Sequence, residues 1–94
     1  MGKQVSTVVE YDAIIARCRA LMLAKNGDYG DSWREMRPTS ITDQILVKAK
    51  RIKNIEDMEL RGEKPQVSEG KEVELRDIIN YAVFELIQLE GEKW

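Results

Sequence analysis

The sequence predicts a small all-α bundle of about three main helices, residues 1–94 forming a single domain, and three observations point there. Apolar residues recur at spacings of three and four over three long stretches. Nothing alternates with the two-residue period of a strand over a useful length. The 94 residues are 43% hydrophobic and 34% charged but only 6% aromatic, the balance of a soluble, helix-rich chain. A chain this short buries a modest fraction of its surface. Oligomerisation to a homodimer or homotetramer is therefore expected to complete a four-helix core.

The first helix is expected from about Val8 to Lys25, where good helix formers place Val9, Ala13, Ala16, Ala20 and Leu23 at helical spacing and Ile14, Cys18 and Leu21 widen the face. Asn26-Gly27 should stop it. The following "KNGDYGDSWREMRPTS" holds two of the six glycines, a proline and several capping residues, and reads as an irregular loop. A second helix should begin between Thr39 and Thr42 and run to Leu60, before Arg61-Gly62. "GEKPQVSEG" then reads as a linker, and a third helix is expected from Ser68–Lys71 through Leu89, closed by Gly91.

Composition excludes several functions. A net charge of −2 gives no electrostatic footprint for a long nucleic acid. The single Cys18 and the lack of histidine rule out an internal disulfide and the usual zinc ligands, so a metal would be held by oxygen. No apolar run approaches a membrane span of about 20 residues, and no signal-peptide core follows the N-terminus. A cytoplasmic protein without a membrane partner is the expectation. Met1–Ser6 matches the short myristoylation pattern, but that pattern is loose and a glycine after the initiator is common, so lipidation is not expected.

On the second helix, steps of about 100° bring Ile41, Ile45, Ala49 and Ile52 into one sector, and Glu56 and Glu59 fall inside it while Asp57 points away. Two carboxylates facing an interior require a positive partner. On the third helix Leu75, Ile79, Ala82, Val83 and Leu86 make one apolar face, and Glu74, Asp77, Tyr81 and Phe84 make a second line, so coverage on two sides is expected. An antiparallel hairpin would bring Glu56-x-x-Glu59 against Glu74-x-x-Asp77. Four oxygen-bearing side chains in one place suit Mg²⁺, which shares carboxylates with a substrate's phosphates. The competing reading of the same residues is solvated helix ends salt-bridged to nearby Lys or Arg. Lys48 lies on the inward sector two turns before Glu56, where its ammonium either meets a phosphate or reaches solvent along an apolar stem.

The arrangement Glu56-x-x-Glu59, a linker, then Glu74-x-x-Asp77 resembles the signature of the all-α nucleoside triphosphate pyrophosphohydrolases of the MazG and dimeric dUTPase type. More closely, "KNGDYGDSWREMRPTSITDQILVKAKRIKNIED" followed by "LRDIINYAVFEL" is similar to the bacterial and phage family called nucleotide modification associated domain one, linked to that superfamily. The resemblance covers roughly Leu23 to Leu89. It implies a MazG-like fold and hydrolysis of a (deoxy)nucleoside triphosphate between the α and β phosphates. Glu56, Glu59, Glu74 and Asp77 would then be Mg²⁺ ligands, with Glu56 orienting the attacking water. Asn80 occupies a position where such enzymes place an amide against base or sugar. In the loop, Tyr29 and Trp33 offer flat surfaces for a base, Asn26 and Asp28 offer donors and acceptors, and Lys25 could reach a phosphate. Packing is the alternative for Tyr29 and Trp33, as it is for Asn80, Tyr81 and Phe84.

Three functions follow from the sequence: a pyrophosphohydrolase, a module that binds or sequesters a nucleotide without turnover, and a helical interaction domain indifferent to Mg²⁺ and nucleotides.

Overall fold

The computed structural model describes residues 6–64 and 70–91. These fold as three helices and one 3₁₀ turn, with no strand among the described residues. The expected helix start at Ser68, most of the linker and all but the last residue of the myristoylation-like opening lie outside them. Among the described residues no helix is long and apolar enough to cross a membrane. The chain divides into two compact units, Met1–Gly30 and Asp31–Trp94.

The first unit is built on α1, Thr7–Tyr29. The Ser6 hydroxyl accepts from the Val8 N–H at 3.1 Å, satisfying one donor of the first turn. Cys18 is buried, while Val8, Val9, Tyr11 and Leu23 are exposed. The expected stop at Asn26-Gly27 is corrected, because α1 runs one further turn. A glycine inside a helix costs only about 1 kcal/mol relative to alanine, which the neighbouring turns tolerate. The break comes at Gly30, whose φ of 70° lies in the left-handed region and whose N–H reaches Asn26 O at 2.8 Å.

The second unit opens with the 3₁₀ turn Ser32–Glu35 and continues into α2, Pro38–Leu60. The helix starts earlier than Thr39–Thr42 because proline brings a helical φ and no N–H to leave unpaired. Thr42 is consequently not a cap but a seam residue, its hydroxyl 2.8 Å from Glu85 Oε1. At the far end Gly62, φ 75°, donates to Glu59 O at 3.0 Å and Glu63 donates to Met58 O at 2.9 Å, a Schellman closure. The third helix, α3, is Gly70–Glu90, and its last turn is closed by the Gly91 N–H to Ile87 O at 2.9 Å.

Helices α2 and α3 pack antiparallel. Thr42 meets Glu85, Lys48 meets Asp77, Arg51 meets Glu74 and Glu59 meets Lys71, so residue numbers fall on one helix as they rise on the other. Ile41 is fully buried and Ile52 nearly so, which keeps two members of the expected α2 stripe, whereas Ile45 is half-buried and Ala49 exposed.

On α3 the line that the hairpin was expected to set against α2 does face it. On the line through Asp77, Tyr81, Phe84 and Gln88 the first and last are buried and the other two half-buried, whereas on the apolar face Ile79 and Ala82 are half-buried and Leu75, Val83 and Leu86 are exposed. Turning the polar line inward gives Asp77 a cation and Gln88 two carbonyl partners, which the leucine face could not supply.

Candidate functional site

The polar residues of α2 and α3 form a charged seam in two rungs. In the first, Lys48 Nζ lies 3.0 Å from Asp77 Oδ2 and 3.7 Å from Glu74 Oε1, and Arg51 Nη1 lies 3.3 Å from the same Glu74 oxygen. This rung is shielded, the side chains of Lys48 and Asp77 being only 12% and 8% exposed. The Tyr81 ring centre sits 5.8 Å from Lys48 Nζ, within cation–π range. Lys48 is therefore inward, as its helical position predicts, and its immediate partners are carboxylates.

In the second rung Lys71 Nζ lies 3.2 Å from Glu59 Oε1 and 3.8 Å from Glu56 Oε2. The hydrogen bond to Glu59, then the charge of Glu59, holds the Lys71 ammonium above its ordinary pKa. Glu56 and Glu59 were expected to face the interior, but their side chains are 48% and 50% exposed. They sit in the last turns of α2, where the helix end gives them water on one side and Lys71 on the other. The salt-bridged reading of this pair describes what is seen.

Each acidic couple, being three residues apart on a helix, does converge on a single cationic nitrogen. The two couples do not converge on each other. Among the described residues no group of three or more potential metal ligands forms, so the expected four-carboxylate cage is not assembled. The reason is electrostatic: each couple already has an ammonium between its oxygens, and nothing draws four like charges together against their mutual repulsion. The residues in this arrangement do not fit a single Mg²⁺ held by all four.

The other expected site residues are divided between the two units. Asn80 and Tyr81 are half-buried on α3, one turn beyond Asp77, and Tyr81 meets Phe84 edge-on at 6.2 Å. Trp33 is buried, its ring parallel to Phe84 at 4.4 Å and an interplanar angle of 5°, with the Arg34 guanidinium 4.5 Å from its centre. Its ring packs in this way on Phe84 and Arg34, the packing alternative of the sequence reading. Lys25, Asn26, Asp28 and Tyr29 occupy the last turns of α1 and not an irregular loop. They belong to the unit ending at Gly30, whereas the seam belongs to the unit from Asp31 onward. Tyr29 is exposed.

The sequence reading missed Lys71, Arg51 and Gln88. Arg51 stands three residues after Lys48 and Lys71 three before Glu74, so helical spacing alone could have placed both on the seam. Gln88 continues the line Asp77, Tyr81, Phe84 by the same spacing. Its Nε2 donates to Trp33 O at 3.0 Å and Met36 O at 2.6 Å, joining the 3₁₀ turn to the end of α3.

Residues 25–89 match the model of the family described as nucleotide modification associated domain 1. No curated protein and no solved structure matches the chain. The matched span contains both rungs of the seam and every expected site residue.

Proposed function

The chain belongs to the nucleotide modification associated domain 1 family, and from that premise we propose that the seam is a site for a (deoxy)nucleoside triphosphate, hydrolysed between its α and β phosphates. Water attacks the α phosphorus, the bond to the bridging oxygen breaks, and monophosphate and pyrophosphate leave. The observation that carries the reading is the convergence of two carboxylates and two cations, Lys48 and Arg51, at the shielded rung. A triphosphate could recruit Arg51 and Lys48 through charge-assisted hydrogen bonds, leaving Glu74 and Asp77 to face the nucleotide's counter-ion. Were Mg²⁺ that counter-ion, Glu74 and Asp77 would hold it and it would supply charge neutralisation at the phosphates. Glu56, open to water beside Lys71, is the residue proposed to orient the attacking water. Asn80 and Tyr81, half-buried next to the rung, are the residues proposed to contact sugar or base. A MazG-like ancestry and a cytoplasmic setting are part of the same proposal.

A second reading, nucleotide binding or sequestration without turnover, is favoured by the pairing of every proposed metal ligand with a lysine. One experiment separates them. The protein is incubated with a panel of (d)NTPs with and without Mg²⁺, monophosphate and pyrophosphate are quantified, and binding is measured in parallel. Mg²⁺-dependent turnover lost in Glu74→Gln and Asp77→Ala supports hydrolysis. Saturable binding without products supports sequestration, and neither result leaves a helical interaction domain.

We also propose that a second copy covers the exposed row Leu75, Val83 and Leu86 of α3, as homodimer or homotetramer.

A further inference from the structure

We infer that Lys48 acts as an internal counter-cation that closes the Glu74–Asp77 pair to divalent ions, so that such an ion gains these carboxylates only when the ammonium is displaced. This rests on the proposed role of the seam, and it grows from the ammonium that stands between two of the four candidate ligands.

Three features support it. The Lys48 nitrogen stands 3.0 and 3.7 Å from oxygens of two carboxylates one helical turn apart, at the point they share. A divalent ion needs those oxygens at about 2.0–2.6 Å, so ion and ammonium cannot both occupy it. Charge gives the second argument. Glu74 and Asp77 carry two negative charges, and Lys48 with Arg51 carries two positive ones, so the closed rung offers no net negative charge to an incoming cation. The third is burial. Lys48 and Asp77 are almost withdrawn from water, which leaves their attraction little screened. The Tyr81 ring at 5.8 Å gives the ammonium a partner to move toward when the carboxylates turn away. The Lys71 rung serves as an internal contrast, since its half-exposed glutamates are screened by water.

The test is Mn²⁺ binding to the full chain, followed by the paramagnetic resonance signal of free Mn²⁺. Lys48→Met is expected to bind Mn²⁺ about tenfold or more tightly than the unaltered chain, because a competing unit charge has gone. Lys48→Arg, which keeps the charge, should show no gain, and Lys71→Met should change affinity less than about threefold. Adding Glu74→Gln to Lys48→Met should remove the gain. Should Lys48→Met fail to fold, Lys48→Gln, which keeps a donor for Asp77, carries the same expectation. Equal or weaker binding in the neutral variants overturns the inference, as does a gain that survives Glu74→Gln. The two proposals fail separately: a Mn²⁺ gain without nucleotide binding or turnover refutes the proposed function alone, and turnover without the gain refutes the lock alone.

Discussion

Removing the Asp77 carboxylate should destabilise the chain by about 3 kcal/mol, because breaking a buried pair strands the ammonium it served. Lys48 is that ammonium, and its second carboxylate at 3.7 Å is a looser partner. Urea denaturation of Asp77→Ala, Lys48→Met and the double variant checks this, the double costing less than the sum of the singles. A cost under about 0.5 kcal/mol for Asp77→Ala would place the pair among ordinary surface bridges. At the outer rung the expectation concerns pH. Lys71 is held above 10.5 by its hydrogen bond to Glu59 and the nearby charges. It binds its proton more tightly folded than unfolded, so its contribution is complete below pH 10.5 and is lost as pH rises through the higher folded value. An NMR titration of Lys71 should give a midpoint above 10.5 that returns to the ordinary value in Glu59→Gln. Lys48 was legible from its place on the α2 stripe. Its partners were not, because the same sector contained the glutamates of the outer rung, and angular position on a helix says nothing of how far along the neighbouring helix a side chain reaches.

At the scale of the helix, two glycines three residues apart should respond oppositely to one substitution. Gly27 lies inside α1 with nothing near an added Cβ, so Gly27→Ala should stabilise by up to about 1 kcal/mol. Gly30, at φ 70°, ends the same helix, and Gly30→Ala should cost about 1 kcal/mol despite equally open space. Chemical denaturation of both variants measures the contrast, and like signs would contradict the placement of the break. The three helices, and the antiparallel pairing of α2 with α3, were readable from apolar spacing and the short linker. The end of α1 was not, because Asn26-Gly27 and Gly30 carry the same local stop signal and the choice rests on about 1 kcal/mol. On α3 the sequence marked two faces without ranking their burial. The leucine row is the more hydrophobic, but Asp77 and Gln88 have buried partners outside their own helix, which periodicity cannot see.

Across the whole molecule the exposed row of α3 and the apolar groove between Thr42, Ile45, Ala82, Glu85, Leu86 and Leu89, of about 410 Å³, leave the second unit with much uncovered surface. Sedimentation at micromolar concentration should show an assembly larger than 10.9 kDa, shifted toward that mass by Leu86→Lys. A single 10.9 kDa species at every concentration would refute self-association. The expectation of such a partner came from surface-to-volume scaling, whereas the face proposed for it depends on which side of α3 turned inward. The Gln88 clamp adds a liability of ageing. Its amide nitrogen holds two backbone carbonyls more than fifty positions upstream. Spontaneous deamidation there would replace the donor with an anion pressed against two oxygens, loosening the tryptophan end of the fold at neutral pH and relaxing that damage in acid, where the new carboxyl regains a proton to share.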